Sequence, residues 1–571
     1  MSYTVAINRI GRENIMKNKD TQLRFYFVLL LVSTLPLFAL GLSNHGVWTA
    51  DEPRVAEIGR EMALSGNWAV PTLDRRPFLE EPPLYYASIA AVFRTLGSTS
   101  DKFVRIPSAI FAFGAVLALF FLGTMLFNPR TGFLAGFTMA MCGEYFRVAH
   151  WVIVDSALTC FIVLGLTFFM AAYLSRSVGK RFLFYGLCYV CCTLAFYSKG
   201  FIGIVIPALA VLSFIAFDRN LREVLRMHLW LGIGIFLVLT APWFLALYHQ
   251  GGSEFLRVFL VHNHLERFAG GSTGHVKPFY YYLTQFPGAY LPWSLLLVPA
   301  FYRSFRKTDY TEERTRKGVL FAKCWFIAGF VFLSIASTKR VLYLMPILAP
   351  VSLLVANYIE GSLGRASLRK FEEVFILAFA AVILVVGVAV IPAFFYASKK
   401  YAFGLPPATT AFTILFALAA VVLAVAAILV YRRSRGRFWT FSGASVFSLL
   451  LLGLVAAMPL LDRYKSFVPF CGEITKAAAS GGSLIGYQPD ETLRGVVPFY
   501  TGQFLTEVDT LPALAEAVRK DRTALVVIRD KRQQVEKELL ATGRFSVVAR
   551  QGMDNTRSLV LFKPTGAAGG I

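Results

Sequence analysis

The chain has 571 residues, of which 56% are hydrophobic and 15% aromatic, and only 16% are charged. A soluble domain carries about 25% charged residues, so the composition excludes an ordinary soluble protein and points to an integral membrane protein. The formal net charge of +23 would suggest nucleic acid in a soluble chain. Here Lys and Arg are scattered over short loops between apolar runs, the pattern of cytoplasmic loops, and no nucleic-acid partner is expected.

Apolar runs fall near 23–42, 103–127, 131–150, 155–174, 182–198, 201–217, 229–248, 291–302, 318–336, 341–358, 374–396, 410–431 and 439–460. Counted against the length needed to cross a bilayer, they predict about thirteen transmembrane helices. The first run lacks a small-residue cleavage site and reads as an anchored helix. Arg9, Arg12, Lys17, Lys19 and Arg24 place the N-terminus in the cytoplasm, and every second loop after it is basic, from Arg130 to Arg437. That alternation sets the sidedness of all the others. Cys142, Cys160, Cys188, Cys191, Cys192 and Cys324 lie in apolar runs and Cys471 lies alone in the tail, which is no disulfide framework.

The loop 43–102 on the far side is long and carries chemistry. Asp51 and Glu52 stand where the first helix surfaces. Pro53 suits a first helical turn, and Val55, Ile58, Met62 and Ala63 recur at helical spacing. An amphipathic helix over 53–64, too short to span, is expected to lie along the membrane. Glu80-Glu81-Pro82-Pro83 then precedes Tyr85 and Tyr86.

The same face collects Asp155, Ser198-Lys199-Gly200, the loop 249–290 and Ser337-Thr338-Lys339-Arg340. Charges beside apolar segments are costly and mark function. Asp51 reads either as a helix cap or as a general base whose pKa apolar walls raise. Arg267 suits forked pairing with a phosphate, and Lys339 offers a second cation. His262 with Glu80 is a weak metal pair. Lys199, Lys339 and Arg340 read equally well as side chains snorkelling to the interface.

After residue 461 the pattern changes. Strand-like runs at 483–487, 523–529, 545–549 and 558–562 alternate with helical stretches at 511–520 and 531–540. The chain thus divides into a transmembrane domain, 1–461, and a small soluble α/β domain, 462–571, on the side away from the cytoplasm. No Gly-rich nucleotide loop follows a strand. A membrane enzyme facing away from the cytoplasm, with no nucleotide, needs a lipid-linked donor.

Asp51-Glu52-Pro53-Arg54-Val55-Ala56-Glu57-Ile58 and Glu80-Glu81-Pro82-Pro83-Leu84-Tyr85-Tyr86 resemble the first-loop signature of the type C membrane glycosyltransferases. These include bacterial lipid A aminoarabinose transferases and protein O-mannosyltransferases. Asp155, Ser198 to Gly200, His262 to Phe268 and Ser337 to Pro346 match further motifs in order, over roughly residues 20–360. The resemblance implies inverting transfer from a polyprenyl-phosphate sugar to a lipid A, glycan or protein acceptor, at the periplasmic face of the bacterial inner membrane. It implies Asp51 and Asp155 as catalytic carboxylates. Arg267 and Tyr343 are similar to phosphate-contacting positions, and Glu80 and His262 resemble positions that hold a metal in some members; from their charge and place, Lys339 and Arg54 are expected to join in binding the donor phosphate, and Glu80, Tyr85 and Lys199 to touch substrate. The competing class is a glycolipid transporter or flippase, which predicts related halves and polar residues at mid-membrane.

One departure stands out. The family commonly has Glu-Lys-Pro-Pro, and this chain has Glu81 in place of the lysine. Two unit charges about 4 Å apart cost ~4 kcal/mol at an effective dielectric near 20. Either Glu81 turns away and Arg267, Lys339 and Arg54 hold the phosphate, or a divalent cation (Mg²⁺, Mn²⁺ or Zn²⁺) sits between Glu80, Glu81, His262 and the phosphate.

Overall fold

A computed structural model describes residues 2–48, 51–266, 276–306, 312–400, 406–479, 481–553 and 556–565, and leaves aside the side chains of 2–19, 264 and 265. Among the described residues, ten helices are long and apolar enough to cross a membrane. The protein is a multi-pass membrane protein with fewer full-length spans than the apolar runs predict. The run 131–150 breaks at Cys142, whose backbone is extended, into α5 (Pro129–Ala140) and α6 (Gly143–Ala149). The run 201–217 is a helix of 16 residues, α9 (Ile202–Phe217). The run 291–302, rich in proline, folds as a short 3-10 turn and the helix Leu297–Ser304. Hydropathy detects these segments, but proline and chain breaks decide their length.

The first span, α1 (Ser2–Ala39), leads into the loop that carries α2 (Glu52–Ser65) and α3 (Leu84–Leu96). Between them a two-residue hairpin pairs β1 (Thr72–Leu73) with β2 (Arg76–Pro77). The expected interfacial helix forms, but it does not lie with one face open. Nearly every side chain of α2 up to Ala63 is buried. One side packs on α3, and the other is covered by a helix of the C-terminal domain, Glu491–Thr501.

A single carboxylate organises this region. Glu52 accepts the backbone N–H of Trp48 at 2.8 Å and that of Val152 at 3.0 Å. It also holds Arg105 at both oxygens, at 3.0 and 2.8 Å. Arg105, at the foot of α4 (Ile106–Leu126), is fully buried and donates to the carbonyls of His45 and Gly46. Glu52 therefore ties the loop to α4 and to the segment just before α7 (Asp155–Leu174). A fully desolvated pair holds only where such extra hydrogen bonds satisfy it.

The tail forms a five-stranded sheet of order β4-β3-β5-β7-β6 from β3 (Leu484–Tyr487), β4 (Thr506–Val508), β5 (Leu525–Lys531), β6 (Phe545–Gly552) and β7 (Arg557–Pro564). β3 runs parallel to β4 and β5, while β7 runs antiparallel to β5 and β6. Both faces are covered, with Leu493, Val496 and Val497 in one core and Leu514 and Leu539 in the other. Sequence reading missed β4 and the helix Glu491–Thr501. The helix contains Gly495 and Pro498, which read as breakers. Pro498 is tolerated because the turn before it is already nucleated, with Asp490 accepting the N–H groups of Thr492 and Leu493.

Candidate active site

The loop opens onto a cavity of about 360 Å³. Its polar wall is built from Asp51, Arg54, Glu80, Glu81, Asp155, Lys199, Arg340 and Tyr343, and its apolar wall from α9 and the helix Glu313–Ile335.

Asp51 sits just before α2 and makes no side-chain cap. Its carboxylate takes a forked pair from Arg340, Nη1 to Oδ1 at 3.1 Å and Nη2 to Oδ2 closer still. Arg54 Nη2 adds a contact at 3.2 Å. Burial alone would raise the Asp51 pKa. The hydrogen bond and charge of Arg340, with the charges of Arg54 and Lys199, outweigh it and hold the carboxylate below its usual range. This corrects the expectation of a raised pKa: the apolar wall is present, but so are three cations.

Asp155 is the first residue of α7, and it is fully buried. Lys199 Nζ donates to its Oδ2 at 2.6 Å and stands 4.5 Å from the centre of the Tyr343 ring. Lys199 ends α8 (Val178–Lys199); Gly200, at φ 71°, lets the chain break there and enter α9. Lys199 is thus an ion-pair partner inside the site and no snorkelling side chain.

Among the residues that line the cavity, two buried side-chain atoms lack partners within the described residues: Arg54 Nε, a donor, and Asp155 Oδ1, an acceptor. Native structures satisfy nearly all such groups. An orphan donor and an orphan acceptor on two residues of one cavity suit a ligand with an anionic end and a hydroxyl or amino end.

Several predicted positions fall elsewhere. Lys339 is buried against backbone, donating to the carbonyls of Lys277 at 3.1 Å and of Ala336. Its neighbour Arg340 lines the cavity instead. The backbone there is extended (Arg340 φ −133°, ψ 150°), so successive side chains face opposite ways. The parity of this strand-like turn was invisible in sequence. Tyr85 is also no substrate contact. It is fully buried, bonded to Ser108, and its hydroxyl accepts the Ile153 N–H at 3.0 Å. Arg267 lies outside the described residues.

The metal pair is not assembled. The chain expected to loop from residue 249 is helical over Leu229–Arg257 except for a kink at Gly252 (φ 66°, ψ −158°), and continues as a wide turn, Val258–Glu266. There the exposed His262 bonds Glu266 at 2.7 Å, and Asn263, not His262, lines the cavity. Glu80 lies 3.7 Å from Arg54. Among the described residues no three His, Cys, Asp or Glu side chains are grouped to hold a metal ion.

Glu81 lines the cavity, and Tyr86 donates to it at 3.3 Å. Burial pushes its pKa up, with Asp155 and Glu80 adding to the rise and Lys199 and Arg54 opposing it. It does not turn away from the cavity, and burial pushes it toward its neutral form.

Residues 80–245 match the family model described as dolichyl-phosphate-mannose-protein mannosyltransferase. The chain is 31% identical over 375 residues to the undecaprenyl phosphate-α-4-amino-4-deoxy-L-arabinose arabinosyl transferase of Shewanella sediminis, covering 64% of this chain and 65% of that one. With the transferase of the same name from Pectobacterium atrosepticum it shares 30% over 350 residues, 61% of this chain and 60% of that one. The match therefore spans somewhat under two thirds of the length of either relative. The crystal structure of ArnT from Cupriavidus metallidurans bound to undecaprenyl phosphate superposes with a TM-score of 0.74 at 21% identity, over 96% of this chain and 99% of that one. In fold this chain is similar to that ArnT structure along nearly its whole length, and in sequence it is similar to the two transferases along somewhat under two thirds of it.

Proposed function

We propose that the protein transfers a sugar, with inversion, from a polyprenyl-phosphate carrier to an acceptor at the periplasmic face of the inner membrane. The observation that carries this reading is the cavity itself. It joins two buried carboxylates to Arg54, Lys199 and Arg340 and leaves Arg54 Nε and Asp155 Oδ1 unpartnered. An apolar groove of about 600 Å³ runs along α9 and the helix Glu313–Ile335 and shares Phe332 with the cavity. A charged head beside a lipid-facing groove is the shape of a polyprenyl phosphate.

In this reading Arg54 and Arg340 bind the carrier phosphate, with Arg54 Nε as one donor. The acceptor oxygen attacks the anomeric carbon from the opposite face. As that bond forms, the bond from carbon to phosphate oxygen breaks, and the electron pair leaves with the phosphate. Asp51, held ionised, is first a hydrogen-bond acceptor and counter-charge for an oxocarbenium-like transition state. A phosphate that engages Arg54 and Arg340 withdraws the cations holding Asp51 down, so burial then raises its basicity. A hydroxyl acceptor passes its proton to Asp51 at that point.

The unpartnered Asp155 Oδ1 is an acceptor for a donor group on the sugar, an amino group or a hydroxyl. An amino sugar is the donor named for the relatives above. The acceptor is lipid A, an envelope glycan or a secreted protein. Mass spectrometry of all three fractions, from cells with the wild-type gene and with Asp51→Asn, tests the reading. A mass increment of one sugar is expected in one fraction of the wild type and absent in the variant, a loss of at least about a hundredfold. Identical spectra in every fraction, or a fully active variant, would overturn it.

A further inference from the structure

We propose that the C-terminal domain completes the active site, with Glu491 a positioning residue that holds Arg54 in the cavity wall. The proposal rests on the donor-phosphate reading above. Arg54 Nη1 meets Glu491 Oε2 at 2.7 Å, closer than its contacts with Asp51 at 3.2 Å or Glu80 at 3.7 Å. The shortest bond to this cationic side chain of the cavity thus comes from the other domain, more than 400 residues along the chain.

The packing is built for that reach. Glu491 and Gly495 stand one turn apart and share a face of the helix Glu491–Thr501. That face crosses the first turn of α2. A Cβ added at Gly495 would lie 2.6 Å from the Arg54 nitrogen and the Pro53 carbonyl carbon, so only glycine lets the helix come close enough. The rest of the contact fixes the domain. Leu505 N–H donates to Asp74 at 3.1 Å, the Tyr500 hydroxyl to Asp101 at 3.0 Å, and Phe499 is buried in the core of the first loop. A guanidinium held by a carboxylate at one Nη keeps its plane, and its Nε stays free for an anion.

The test uses the full-length protein and undecaprenyl phosphate alone as probe, with binding measured in detergent. Glu491→Ala should weaken binding about tenfold, the factor that about 1.4 kcal/mol carries. Glu491→Asp should recover most of it. In an Arg54→Ala background Glu491→Ala should cost nothing more, since Glu491 acts through Arg54. Arg76→Ala, which cuts the exposed ion pair to Glu507 at the rim of the same interface, should leave binding unchanged. Wild-type affinity in Glu491→Ala, or an equal loss with and without Arg54, overturns the proposal. Should the wild-type protein not bind undecaprenyl phosphate, the donor reading fails. The link is then judged by thermal unfolding, where the same double-mutant cycle must show coupling and additivity sinks it.

Discussion

Asp51 and Glu52 are neighbours in the chain and end in opposite environments. Both are buried carboxylates facing an arginine. Glu52 spends every contact on the fold: two backbone amides and a fully buried Arg105 whose other donors are also satisfied. Asp51 meets Arg340 and Arg54 at the wall of a cavity, and both of those cations remain within reach of a ligand. The lesson is that burial of a charge does not identify a site. What separates the two is whether the partner's valences are closed.

Removing Glu52 is the harshest way to break that comparison. Glu52→Ala strands the Arg105 charge with no counter-ion, a loss of about 3–5 kcal/mol, and frees Val152 ahead of Asp155. The variant should express poorly and unfold well below the wild type in a thermal melt, whereas Asp51→Asn should melt close to it. Equal melting of the two variants would erase the distinction.

A second test sharpens the electrostatic half. In the wild type the Asp51 carboxylate sits below its ordinary pKa, so its pairing is present above about pH 4 and is lost only as pH falls through the lowered value. Arg340→Ala removes the largest opposing contact and leaves burial to raise Asp51. The acid limb of the transfer rate should move to higher pH. An unmoved limb would show that Arg340 does not set the Asp51 charge.

Much of this arrangement was legible in the sequence, and the rest was not for definite reasons. Asp51, Arg54, Glu80, Asp155, Lys199 and Tyr343 come from motifs flanking apolar runs, and the structure places all six on one cavity. The exchange of Arg340 for Lys339 turns on the parity of a two-residue extended stretch, which hydropathy does not resolve. Tyr85 is spent inside the protein because its hydroxyl satisfies Ile153 N–H, a tertiary contact without a local signature. Glu491 was hidden because Gly495 and Pro498 disguise its helix, and because the tail reads as a separate domain. The close approach at Gly495 explains why a breaker residue stands there.

The interface between loop and tail offers a milder break. Asp74 accepts Leu505 N–H with Oδ1, while its buried Oδ2 has no partner among the described residues. Burial pushes its pKa up to about 6, with Glu507 and Glu61 adding to the rise and the Leu505 bond and Arg494 opposing it. The folded state then holds a proton that the unfolded chain releases near pH 4. Stability falls as pH rises from about 4 to about 6, by about 1–3 kcal/mol. Melting at pH 5 should exceed that at pH 7.5, and Asp74→Asn should flatten the difference. An undiminished slope in the variant would assign the pH dependence elsewhere.

Glu81 supplies the finest contrast, because it shares the cavity with Asp51 and is pushed the other way. Asp51 is held down by the forked contact with Arg340, whereas Glu81 has Tyr86 as a neutral donor and the Asp155 and Glu80 charges beside it. Its neutral form has a hydroxyl to offer a phosphate oxygen and avoids the repulsion of about 4 kcal/mol that an ionised carboxylate would meet. The sign follows from the raised pKa. The neutral acid is present at low pH and is lost as pH rises through the raised value, so transfer should decline on that alkaline side. Glu81→Gln keeps the shape and a donor but does not titrate. It should work within about threefold of the wild type near neutrality, since one neutral hydrogen bond carries only about 0.5–1.5 kcal/mol, and its rate should hold at higher pH where the wild type falls. A strong chelator should leave both proteins active. If instead Glu81→Gln is inactive, and chelated wild-type enzyme recovers only with Mg²⁺, Mn²⁺ or Zn²⁺, Glu81 is an ionised ligand to a cation and the neutral-acid account is wrong.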